Sequence, residues 1–155
     1  MTIPVRLKTH LDQAQVSYEP VFHAPTHGAE YTASVMHVPG KEMAKTVVLR
    51  AGEKTLLAVL PASYHINLKK LAAVVGAPVR LAEKQECNTQ FPDCEPGAVP
   101  PFGELYGLPV YLDEALAEDP EIVFSAGTLC NAIRMGNLDF VRLAKPRICS
   151  FAKKP

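Results

Sequence analysis

"AKTVVLRAGEKTLLAVLP", residues 44–61, is the stretch that decides the fold class. Two runs rich in Val, Leu and Ala, 44–50 and 55–61, flank Ala51-Gly52-Glu53-Lys54, and the pattern reads as a β-hairpin. Both runs are apolar on two faces, as strands are in a sheet covered on both sides. Side chains alternate along a strand, so Lys45, Val47 and Leu49 share one face while Thr46, Val48 and Arg50 share the other. Lys45 therefore stands at the end of an apolar face, where an ammonium needs a partner, a cavity or a route to water.

Outward from the hairpin, helices and strands interleave. Residues 4–16 place Leu7, Leu11 and Ala14 on one helical face, and 17–23 is short and extended, with a proline that suits an edge strand. A small-residue helix is expected from 29 to 38, ended by Pro39-Gly40, and another helix from Asn67 to Val75. "PVRLA" (78–82) reads as a strand and "EKQEC" (83–87) as a helical turn. "LPVYLD" (108–113), "EIVFSA" (121–126) and "NAIRM" (131–135) read as strands, the last two flanking a turn at Gly127, with a final helix over 137–143. Hairpins amid alternating helices predict one α/β domain of the α+β kind over residues 1–155. Its sheet is expected to be mixed and mostly antiparallel, partly barrel-like and flanked by helices.

Bulk composition narrows the function classes. The chain has 155 residues, 48% hydrophobic and 21% charged, as globular proteins do. Sixteen basic and sixteen acidic residues cancel, which argues against a protein holding nucleic acid through phosphates alone. The first residues are amphipathic without an apolar signal core, and no later run approaches membrane-spanning length, so the cytoplasm is the expected compartment. Cys87, Cys94, Cys130 and Cys149 lack CxxC spacing and read as reduced cysteines.

The second informative stretch is "EPGAVPPFGELYG", residues 95–107, with three prolines and three glycines. No Lys-Ser/Thr follows it, so it is not a phosphate loop. Fixed proline φ angles beside permissive glycines suit either a pre-set backbone wall around a small ligand or a rigid connector. His23 and His27 flank Pro25, while His37 and His65 are isolated, so no metal-ligand spacing arises. Ser34, Ser63, Ser125 and Ser150 lack a nucleophile elbow, and Cys130 near the glycine turn is a weaker nucleophile candidate. Arg142, Lys145, Arg147, Lys153 and Lys154, with Lys69 and Lys70, fit either a nucleic-acid backbone or ordinary surface charge.

Three of these pieces together resemble the YbaK/prolyl-tRNA-synthetase-associated editing domains, the free-standing aminoacyl-tRNA deacylases. "MAKTVVL" (43–49) is similar to the strand bearing that family's lysine. "GAVPPFG" (97–103) is similar to its G-x-x-x-P-x-G loop and precedes a strand ending in Asp113; "FSAG" (124–127) is similar to its late strand and glycine turn. The likeness extends over about residues 20–145.

What the resemblance implies is hydrolysis of the ester joining a wrong amino acid to a tRNA 3′ end, of the tRNA-Pro type. Lys45 would orient the terminal adenosine or aminoacyl group, and Gly103 would act with it at the catalytic centre. Gly97, Val99, Pro101 and Phe102 would shape the pocket, with Ala126, Gly127 and Thr128 as its far wall. Thr128 and Leu129 stand where some relatives carry a histidine, which bears on the amino acid preferred. No metal or other cofactor is implied. An aminoacyl ester is already activated, so backbone donors and a positioned water suffice in principle. The implied partner is the acceptor end of an aminoacyl-tRNA, with a synthetase as a further one; neither DNA nor membrane is expected. The same fold binding an aminoacyl-tRNA or amino acid without turnover is the alternative.

Overall fold

A computed structural model describes residues 2–25 and 43–155. The helix expected over 29–38, and with it His27, Ser34 and His37, lies outside the described residues.

The hairpin forms as its sequence dictates. Strands β2 (Ala44–Ala51) and β3 (Lys54–Pro61) pair antiparallel without interruption, from Ala44 opposite Pro61 to Ala51 opposite Lys54. The connecting turn is therefore two residues, Gly52 and Glu53, shorter than the four that composition suggested. Gly52 takes φ 64°, the positive value that a tight hairpin turn needs to match strand twist.

Both faces of this hairpin are covered. Leu57 and Val59 point into a core shared with Leu7 and Leu11 of α1 (Val5–Gln13) and with Phe102, Phe124 and Phe140. Leu56, Ala58 and Leu60, one step out of phase, pack with Leu49, Leu71 and Phe151 in a second core. Eliminating water from both faces of one strand is what replaces the usual polar alternation by a continuous apolar run.

Around the hairpin the remaining elements follow in chain order. Strand β1 (Tyr18–Phe22) is an edge strand, as its proline requires. After β3 come β4 (His65–Ile66), α2 (Leu68–Val75), β5 (Arg80–Leu81) and α3 (Lys84–Gln90). Asn67 caps α2 by accepting from the Lys70 N–H at 3.1 Å, and Gly76 closes it with φ 84°. A 3₁₀ turn (Gly103–Tyr106) precedes β6 (Val110–Asp113), α4 (Glu114–Ala117), β7 (Glu121–Thr128), β8 (Asn131–Gly136), α5 (Asn137–Ala144), β9 (Arg147–Cys149) and β10 (Ala152–Lys153).

The five-stranded sheet runs β5-β2-β3-β6-β9, with β3–β6 and β6–β9 parallel and the others antiparallel. A three-stranded antiparallel sheet, β1-β8-β7, meets it at a parallel bridge between Met43 and Val123. The sheet system is thus mixed and mostly antiparallel, and the described strands do not close into a barrel. β9 and β10 escape sequence reading because two or three residues carry no periodicity. They are held by pairing with β6 and β4, and Asp113 Oδ1 ties the chain at the start of β10 by accepting from the N–H of Phe151 at 2.9 Å and of Ala152 at 2.8 Å.

One expectation changes in kind. Gly127 is not the turn between two strands; it lies inside β7 with φ 88°, at a bulge between Ser125 and Thr128. The turn proper is Leu129–Cys130, and Thr128 Oγ1 fastens it by accepting from Cys130 N at 3.1 Å and Asn131 Nδ2 at 2.7 Å.

Candidate active site

Lys45 lies on a stretch of strand edge that no other described strand covers. On one side β2 is zipped to β3 throughout. On the other, among the described residues, β5 pairs only with Leu49 and Arg50, and β7 bridges only from Val123 to Met43, while packing alongside β2. Residues 44–47 are left between them.

Hydrogen-bond directions show which main-chain groups face this gap. The Met43 carbonyl accepts from Ala62 N at 2.7 Å, toward β3, whereas the Val48 carbonyl accepts from Ala82 N at 3.0 Å, on the opposite side. Peptide groups alternate along a strand, so Lys45 directs its main chain into the ladder. Thr46 directs its N–H and C=O into the gap.

Gly97 and Val99 face this edge from the proline-glycine loop. A cleft of about 160 Å³ is lined by Lys45, Thr46, Val47, Gly97, Val99 and Ser125, together with Ala44. It adjoins a second cleft of about 280 Å³ that shares Thr46, Val47, Gly97 and Val99 and continues to Cys87, Asn88 and Phe91. The two form one site with a small polar end and a larger apolar end. A bigger groove of about 910 Å³ opens near the hairpin turn, walled by Arg50, Lys54 and Tyr111. Arg50 is five residues along the strand from Lys45, about 17 Å at strand rise, so that groove is remote from the lysine, although Gly107 at the end of the loop also lines it.

The loop is fixed from behind. Glu95 N donates to the Gly127 carbonyl and Gly127 N donates to the Ala98 carbonyl, both at 2.8 Å. Leu129 N adds a bond to Glu95 Oε2 at 3.3 Å. Both bonds are made at the bulge, where Gly127 is out of register with β8. Farther back, Arg6 Nε lies 2.8 Å from Asp93 Oδ2 and its guanidinium stacks 4.5 Å from the centroid of the Tyr106 ring. The Tyr106 hydroxyl donates to Asp93 Oδ1 at 3.0 Å and lies 3.3 Å from Cys94 Sγ. Burial, the largest influence, pushes the Cys94 thiol up to about 11 and raises the Tyr106 phenol as well. Both stay protonated at neutral pH, as structural groups.

The residues singled out from sequence divide accordingly. Lys45, Gly97 and Val99 come together in the cleft. Pro101, Phe102 and Gly103 are buried and line neither cleft. The Phe102 ring makes edge contacts with Phe124 at 5.5 Å and Phe140 at 5.4 Å, in the core rather than the pocket wall. Gly103 starts the 3₁₀ turn, where a β-carbon would run into the Leu108 carbonyl oxygen and lie 2.8 Å from Val110 Cγ2. Its smallness serves packing. Ala126, Gly127 and Thr128 are buried behind the cleft, and the neighbouring Ser125 reaches it instead. Cys130 stays outside the cleft, and its contact with His23 is through main chain, His23 N to Cys130 O at 2.8 Å. Sequence reading does not single out Ser125 or the Thr46 peptide for the site, because side-chain parity says nothing about which peptide groups face an edge.

A family profile described as the aminoacyl-tRNA editing domain matches residues 23–143. The chain belongs to that family. The editing-domain resemblance seen in "MAKTVVL", "GAVPPFG" and "FSAG" is thereby established, and with it the class of aminoacyl-tRNA deacylases. Among curated relatives, the multifunctional Ser/Thr-tRNA deacylase ProXp-y of Escherichia coli (strain K12) is 27% identical over 154 residues, covering 96% of this chain and 92% of the relative. The proline–tRNA ligase of Thiobacillus denitrificans (strain ATCC 25259 / T1) is 31% identical over 99 residues, which are 63% of this chain but 17% of the ligase. A solved structure described as a candidate trans-editing enzyme for prolyl tRNA synthetase superposes with a TM-score of 0.82 at 24% identity, covering 97% of this chain and 96% of that one. Another, described as hypothetical protein APE2540, gives 0.87 at 17% identity, covering 96% and 99%. Both structures share the fold of this editing domain.

Proposed function

We propose that residues 1–155 act as one trans-editing domain in the cytosol, hydrolysing the ester that joins a mis-attached amino acid to the 3′ end of a tRNA of the tRNA-Pro type. The observation that carries this reading is the meeting of Lys45 and the Thr46 peptide with Gly97 and Val99 across a strand edge with which no other described strand pairs.

In this reading the Lys45 ammonium holds the terminal adenosine or the aminoacyl group. The Thr46 N–H faces the ester, where it stabilises the oxyanion that forms when water attacks the carbonyl. Its C=O accepts from the substrate's α-ammonium. Gly97 lets the loop backbone approach closely, and Val99 limits the side chain that enters. The tetrahedral intermediate then expels the ribose oxygen, which leaves with a proton as the free 3′ hydroxyl. A synthetase partner delivering the tRNA would compensate for the neutral net charge of the domain.

The test is a deacylation panel: tRNA carrying Ala, Cys, Ser or Thr, incubated with wild-type protein and with Lys45→Ala. The E. coli relative is named for Ser and Thr, so those esters head the panel. Loss of at least one ester with wild type, reduced ~10²-fold or more in Lys45→Ala, is the expected result. Binding without loss of any ester would instead select a recognition module.

A further inference from the structure

The neutral net charge conceals a segregation. Residues 54–82 and 140–155 contain none of the sixteen acidic residues of the chain but nine of the sixteen basic ones. These two acid-free segments, far apart in sequence, are folded against each other. β10 pairs with β4, setting Lys153 opposite His65. Asn67 N, at the start of α2, donates to the Phe151 carbonyl at 2.8 Å, and Arg147 Nη1 donates to the Val74 carbonyl at 3.4 Å. Lys69 and Lys70 in the first turn of α2 thus lie on an element packed against the one carrying Lys153 and Lys154, and all four are exposed. Among the described residues none of these four lysines forms an ion pair. Asp113, the acid that anchors the tail, is 3% exposed, and its oxygens accept from the N–H groups of Ala115, Phe151 and Ala152.

We infer that Lys69, Lys70, Lys153 and Lys154 form a phosphate-binding face that seats the double-stranded acceptor stem of the RNA whose 3′ end enters the Lys45 cleft. This deepens the proposed function and rests on it for the identity of the RNA. Placement carries the choice of partner. Lys45 pairs with Leu60, and the chain reaches His65 five residues later, at most about 18 Å away. A stem whose single-stranded end lies in the cleft would have these lysines within its reach. Clustered ammonium groups on short, fixed elements suit successive phosphates, which position an RNA without reading its sequence.

The experiment is fluorescence anisotropy with a labelled, uncharged RNA hairpin that copies an acceptor stem and its unpaired 3′ end. Wild type is compared with the variant Lys69→Gln, Lys70→Gln, Lys153→Gln, Lys154→Gln. With four phosphate contacts, wild-type affinity falls on the order of a hundredfold between about 50 and about 200 mM salt, and the variant flattens this to a few-fold. Retained hydrolysis of a small ester, 3′-O-aminoacyl-adenosine, by the variant shows that its fold and cleft are intact. Equal affinity and salt slope in the two proteins would overturn the inference. So would absent RNA binding by wild type, or binding of phosphatidylserine vesicles in its place. RNA binding with this lysine dependence, but no hydrolysis of any mischarged tRNA, would keep the face and refute the editing reading.

Discussion

Gly127 of β7 rests directly on Pro4, the residue preceding α1: a β-carbon at Gly127 would lie 2.6 Å from Pro4 Cγ. The same glycine holds φ 88° and bonds the proline-glycine loop through both its N–H and its C=O. One residue thus joins the N-terminal helix, the bulge and the back of the cleft.

Gly127→Ala should therefore damage fold and activity together. Positive φ and steric overlap with a rigid ring each cost about 1–3 kcal/mol. Urea denaturation is the measurement, and a loss under about 0.5 kcal/mol would show that Pro4 and the bulge yield freely.

Gly97 and Gly103 should separate. At Gly97, φ is 83° but an added β-carbon meets nothing within 4 Å, so Gly97→Ala is expected to cost about 1 kcal/mol while slowing deacylation through the displaced cleft wall. Gly103→Val drives a branched side chain into Leu108 and Val110 and should cost about 3 kcal/mol or more. Comparing denaturation midpoints with initial rates checks both; a Gly103→Val protein that folds normally but is inactive would return that glycine to the reaction.

Substrate size selection should follow Val99 and not Phe102. Val99→Ala widens the cleft, and the ratio of rates on Thr and Ser esters should shift by about tenfold. Phe102→Leu loses edge contacts with the His10, Phe124 and Phe140 rings and should lower stability by about 1–2 kcal/mol, with the Thr/Ser ratio unchanged. A ratio altered only by Phe102→Leu would place the sieve elsewhere.

Cys94 gives a pH signature. Its thiol, 7% exposed and raised by burial from 9.0 to about 11, favours the neutral form in the folded state. The corresponding stability is complete below pH 9 and is lost as pH rises toward 11. Melting temperatures of wild type should therefore fall more steeply than those of Cys94→Ala across pH 9–11. Parallel curves would show that the thiol titrates alike in folded and unfolded chains.

Much of this was legible because local chemistry and tertiary role agree. Apolar pattern and parity in 44–61 fixed the hairpin, its two buried faces and the position of Lys45 at the end of one. The loop at 95–107 was legible as rigid but not as to which residues line a cavity. Pro101, Phe102 and Gly103 turn into the core because the ring of Phe102 completes a cluster with Phe124 and Phe140, partners 22 and 38 residues away. Periodicity holds no record of such distances. Gly127 likewise suits a turn or a bulge equally on composition, and only its bonds to residues 95 and 98 distinguish them. β9 and β10 depend on pairing with β6 and β4, which needs the fold to exist first.

That no described strand pairs with residues 44–47 along the rim of β2 has a second consequence. An unpaired strand edge with apolar neighbours is a template on which another copy of the chain can add a strand. Residues 97–99 stand over that rim and deny it to a neighbour while leaving room for a small guest. Catalytic access and protection from self-association are therefore tied to the same loop, through Gly97 and Val99. Variants selected for bulkier esters by pulling this loop away should become more prone to aggregate, and a lysine introduced at the rim to restore solubility would crowd the guest.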